Sequence, residues 1–127
     1  MDLWLKDARE WLVSEHGLES TFADRAALLL AYLYLYGLNP IVTSGWRDPK
    51  YQAALRARWD RGDRTGLRAR PALNSEHTLT GWLGKPASKA VDIETANEGL
   101  AARIAAALGI GAGYNFASPD PGHYFIK

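Results

Sequence analysis

The chain has 127 residues, a formal net charge of +1 and no cysteine. That length suits one domain with a real core, so no disulfide or structural metal is needed to hold it up. The charge balance gives no reason to expect nucleic acid or membrane as partner, and the missing thiols exclude disulfides, thiolate zinc sites and cysteine nucleophiles.

Residues 2–15 carry apolar side chains at Trp4, Ala8, Trp11 and Leu12, one face of a helix. His16 and Gly17 read as its end, with His16 a capping cation and not a functional group. This opening has early acidic residues and no apolar centre, so no export signal is expected. Thr21 and Asp24 have the spacing of a capping box, and the helix they open is apolar nearly all round. Its longest apolar run, residues 26–36, is about half of what a membrane span requires. Gly37 ends it. The protein is therefore expected to be made soluble in the cytoplasm, and monomer is the default.

Residues 41–44 predict a short buried strand. Asp48 followed by Pro49 predicts an N-cap and first helical position, and the helix runs to about Arg61 with Tyr51, Ala54, Leu55 and Trp59 inward. Its end and the loop after it, residues 56–70, gather arginines that read as a solvated surface; a nucleic-acid patch is the alternative, and the cluster could also attract an anionic polymer such as a bacterial cell wall. The loop is expected to reach Ser75. Residues 90–93 predict a second strand, Thr95 and Glu98 a second capping box, and Leu100, Ala101, Ile104, Ala105 and Leu108 the inner face of a helix stopped by Gly109. GIGAGYNFASPDPG reads as turns; its glycines follow a helix and lack the dinucleotide-binding spacing. HYFIK predicts a terminal strand. Helices first, then mixed strands and helices, make an α+β fold: a small single domain over 1–127, helical over 1–37, with a short, mainly antiparallel sheet.

The chemistry centres on His77, Asp92 and His123. Asp92 falls on a predicted strand, His123 opens another, and His77 sits in a turn. A catalytic zinc site takes three such ligands and keeps an open position for water. A nearby carboxylate, with Asp120 three residues before His123, can then move the water's proton. The residues alone leave two readings open: polar groups satisfied where they stand, or three ligands of one ion.

TSGWRD (43–48), SEHTLTG (75–81), KAVDI (89–93) and DPGHYF (120–125) resemble, in order, the motifs of the zinc peptidoglycan peptidases. That family includes D-Ala-D-Ala carboxypeptidases, vancomycin-resistance dipeptidases and phage L-alanyl-D-glutamate endopeptidases, and shares its fold with the Hedgehog signalling domain. The resemblance covers residues 40–127. It implies one Zn2+ per chain held by His77, Asp92 and His123, with Asp120 as catalytic base. It implies that Arg47 faces the substrate and steadies the transition state, that Ser75 supports the site or contacts substrate, and that Gln52 lies on the substrate side. The implied partner is the bacterial stem peptide. The implied role is a phage lysis or virion-associated endopeptidase; a carboxypeptidase, or a non-catalytic wall-binding module on the same fold, is the alternative. A serine hydrolase is disfavoured, because Ser44, Ser75 and Ser88 lack a nucleophile elbow.

One departure from that pattern is the spacing of its motifs. His77 and Asp92 stand further apart than the corresponding pair, and residues 82–89, WLGKPASK, read as an inserted loop. Surface loops tolerate insertion cheaply. The loop is expected to lie beside the active cleft.

Overall fold

The computed structural model describes residues 2–67, 70–71 and 75–126. Among them are four α-helices and one open, four-stranded antiparallel sheet of order β1-β2-β4-β3. The fold is α+β, as the sequence implies.

Helix α1 (Asp2–His16) stops at Gly17, whose φ of 64° is open to glycine at no steric cost. The Leu18 N–H reaches back to the Leu12 carbonyl, and both side chains are buried, which is a Schellman stop with its apolar contact. Helix α2 (Ser20–Leu35) is capped by Glu19, whose carboxylate accepts from the Thr21 and Phe22 N–H groups. The expected Thr21 box is displaced, because the helix begins two residues earlier and the Glu19 carboxylate takes the first orphan donors there. Helix α2 is also not enclosed on all sides. Phe22, Ala26, Leu29 and Leu33 enter the core, whereas Tyr32, Tyr34 and Leu35 stay exposed.

Strand β1 (Ile41–Ser44) and helix α3 (Pro49–Asp60) begin where the sequence predicts, and Asp48 accepts from the Lys50 N–H at 2.8 Å. The inward face expected for α3 is corrected. Tyr51 is exposed, Gln52 is the buried residue, and no α3 side chain belongs to the core cluster. Helix α3 flanks a cleft instead of lying on the core, so core-facing periodicity does not apply to it. The loop expected after it lies partly outside the described residues, as does the final Lys127.

Strand β2 (Ala90–Glu94) leads to helix α4 (Glu98–Ala107). Glu98 does reach back to the Thr95 N–H at 3.2 Å, but Asn97, not Thr95, is the cap, accepting from Leu100. The turn-rich reading of residues 110–112 is overturned: they form strand β3 (Ile110–Ala112), paired with β4 (His123–Ile126). Gly111 is there because the Phe125 ring occupies the space a Cβ would need. Val91, Ile93, Ile110 and Tyr124 turn one face of the sheet into the core with α2 and α4. Alternation along the strands sends Asp92 and His123 to the other face.

Candidate metal centre

Asp92 on β2 is the direct cross-strand partner of His123 on β4, so the two side chains share one face. On the other side of β2, Ser44 pairs with Asp92 beyond a bulge between Val42 and Ser44. That extra residue re-aims the end of β1 towards the same row. His77 arrives from a 3-10 turn, Glu76–Thr78, that Ser75 caps with its Oγ on the His77 N–H.

Three donor atoms meet. His77 Nε2 lies 3.3 Å from Asp92 Oδ1 and 3.3 Å from His123 Nδ1, and His123 Nδ1 lies 3.2 Å from Asp92 Oδ1. Donors at tetrahedral positions around an ion with bonds of about 2.0–2.1 Å would be about 3.3 Å apart. The donor set also fits in charge and type, with two imidazoles and one carboxylate. These residues can therefore hold one metal ion.

The ring orientations are fixed from outside. His77 Nδ1 is 2.7 Å from the Gly45 carbonyl oxygen, which can only accept, so Nδ1 carries the proton and Nε2 presents its lone pair. His77 is 2% exposed. His123 stacks on Phe125 with ring centres 5.5 Å apart and is flanked by Phe116. Arg47 donates from Nη2 to Asp92 Oδ2 at 2.8 Å and from Nε to Ser44 Oγ at 3.1 Å. Burial opposes ionisation of Asp92, yet the His123 and His77 rings beside it and the charge of Arg47 hold its carboxyl well below the usual carboxylate range.

The donors open onto a cleft of about 830 Å³, lined by Tyr51 and Gln52 of α3 and also by Glu94, Glu98 and Asp120. Asp120 is exposed on the turn before β4, and its own backbone is pinned by an N–H bond to the Gly113 carbonyl at 2.9 Å. It stands outside the three-donor group. Gly113 is required there, because a Cβ would strike the Asp120 carbonyl oxygen. Thus His77, Asp92 and His123 are brought together, and Arg47, Gln52, Ser75 and Asp120 line the cleft they face. Ser75 spends its hydroxyl on the His77 turn. His16 stays away from this cleft; its ring stands edge-on to Trp11 and burial pushes its pKa down against the pull of Glu15.

The loop of residues 82–89 contributes no residue to the cleft lining. Its far end packs between the end of α1 and the start of α2. Ser88 is fully buried, its N–H bonds to the Gly17 carbonyl, and its carbonyl accepts from Glu19. The roles of the Gly45 carbonyl and the Ser44 hydroxyl as supports went unforeseen. The GWR run that carries both Gly45 and Arg47 was the available signal.

No family model matches the chain, and no curated protein matches it.

Proposed function

We propose that the chain is a metal-dependent hydrolase and, more narrowly, a zinc peptidase that cuts a peptide bond of the bacterial cell-wall stem peptide. The observation that carries this reading is the convergence of His77 Nε2, Asp92 Oδ1 and His123 Nδ1 at tetrahedral spacing on the wall of an open cleft. The order of the four sequence motifs supplies the narrower part. Zinc, when bound, supplies a Lewis acid and a water acidified towards neutral pH.

The chain's own residues supply the rest. Asp120 takes the proton of the attacking water and returns it to the leaving amine, so water adds across the C–N bond and an acid and an amine leave. Its exposure at the cleft suits a group that must exchange protons. Arg47 commits Nε and Nη2 to Ser44 and Asp92, which leaves Nη1 for the oxygen that gains charge as the amide is attacked. Gln52 lies on the α3 wall, where it can orient a peptide. Purified protein loaded with zinc and incubated with bacterial cell walls should release new amino termini. No release from protein carrying one zinc per chain would overturn the proposed activity while leaving the metal centre intact.

A further inference from the structure

We infer that Arg47 is a positioning residue of the metal centre, acting through Asp92 and His77, and that it restricts Asp92 to a single ligating oxygen. The inference rests on the metal-dependent reading above, and it concerns how the ligands are held instead of what is cleaved.

A carboxylate has two oxygens and can offer either or both to an ion. Here they are not equivalent. Oδ1 faces the two imidazole nitrogens, at 3.2 and 3.3 Å. Oδ2 is taken by Arg47 Nη2 at 2.8 Å in a charge-assisted bond. The guanidinium cannot easily swing away, because Nε is tied to Ser44 Oγ at 3.1 Å and the group is planar. The Arg47 backbone N–H also donates to the His77 carbonyl at 2.8 Å. One residue therefore holds ligands that lie 30 and 45 positions further along the chain, one through its main chain and one through its side chain.

The turn that bears Arg47 is itself clamped. The Trp46 N–H donates to the His16 carbonyl at 2.6 Å, and Gly45 lies against the same carbonyl with no room for a Cβ. The end of α1 thus backs the turn, and the turn backs two ligands. Outer partners of this kind usually matter to metal affinity almost as much as the ligands do.

The test is Zn2+ affinity, measured by competition with a chromogenic chelator, together with the visible spectrum of the Co2+-loaded protein. Arg47→Met should bind Zn2+ about 10–100-fold more weakly and should change the Co2+ band intensity, as Asp92 Oδ2 becomes free to ligate. Arg47→Lys should recover only part of the affinity, because a point charge cannot hold Oδ2 and Ser44 together. If Arg47→Met does not fold, Ser44→Ala carries the test: it frees Nε alone and should give a smaller loss in the same direction. Variants that match the wild type in both affinity and spectrum would overturn the inference and leave Arg47 to act on substrate only. Wild-type protein that binds neither ion would overturn the metal-dependent reading together with this inference.

Discussion

The Gly45 carbonyl oxygen sits 2.7 Å from His77 Nδ1, and the Cα of Gly45 is pressed against the His16 carbonyl at the end of α1. A main-chain group set by one close approach thereby decides which imidazole nitrogen faces Asp92 and His123. Gly45→Ala should force the two segments apart. We expect a loss of about 2–3 kcal/mol in stability and weaker zinc binding. Gly37→Ala is the comparison, since Gly37 has φ of 72° but open space around it. It should cost only about 1–2 kcal/mol and leave zinc affinity unchanged. Thermal unfolding with and without zinc separates the two. Equal zinc affinity in wild type and Gly45→Ala would mean that the carbonyl does not orient His77.

Metal content should follow the three donors. The purified protein supplied with zinc is expected to carry one ion per chain, and His123→Ala should carry none that survives desalting. Deprotonated ligands are needed, so zinc should also be released as the pH falls. Elemental analysis across such a series checks this, and stoichiometric zinc in His123→Ala would show that the ion sits elsewhere.

Asp120→Asn should separate binding from turnover. Asp120 lies in the cleft but outside the three-donor group, so the variant should keep its zinc. It should lose about 10²–10⁴-fold in rate, the usual worth of a proton-transferring side chain. An unchanged rate would remove Asp120 from the mechanism.

Glu19 gives a pH dependence of the fold itself. Partial burial pushes its pKa up, but the Thr21 and Phe22 N–H groups, the Thr21 hydroxyl and the charge of Lys89 together bring it below the ordinary value. A carboxylate lowered in the folded state adds stability above the unfolded value, about 4.3, and loses it as the pH falls through the folded value. Glu19→Ala should therefore cost about 1 kcal/mol near neutral pH. The difference from wild type should shrink in acid. A gap that stays constant down to strongly acid pH would show that the cap does not work through its charge.

Much of the site was legible because its residues stand on short strands with strong local signals. Residues 41–44 and 90–93 have the β-branched residues and flanking breaks of strands, and Asp48-Pro49 fixes the start of α3. What failed did so for identifiable reasons. Gly111 looks like a turn residue, yet it lies on β3, where its missing Cβ makes room for the Phe125 ring. Helix α3 was assigned an inner face on the assumption that it meets the core, and it meets a cleft. The supports of His77 are mostly main-chain carbonyls and N–H groups, and side-chain identity does not encode those.

The loop of residues 82–89 provides the last prediction, because its two ends have opposite environments. At the tip, Trp82 is 83% exposed and Leu83, with φ of 58°, is 75% exposed. At the base, Ser88 is fully buried, and its hydroxyl bonds to the Ala90 carbonyl at 2.7 Å and the Glu76 carbonyl at 3.3 Å. The Lys89 N–H joins the same Glu76 carbonyl, one residue before His77. Trp82→Ala should change stability by no more than about 0.5 kcal/mol, since its side chain is mostly in solvent. Ser88→Ala should cost about 1–3 kcal/mol, because it strips away a buried hydroxyl that bonds to the Ala90 and Glu76 carbonyls and accepts from the Ala90 N–H at 3.2 Å. It should also weaken zinc binding, as the His77 turn loses its brace. If Trp82→Ala instead proved the more damaging of the two, the tip would have a partner that its exposure conceals, and the insertion would be a contact surface and not a brace.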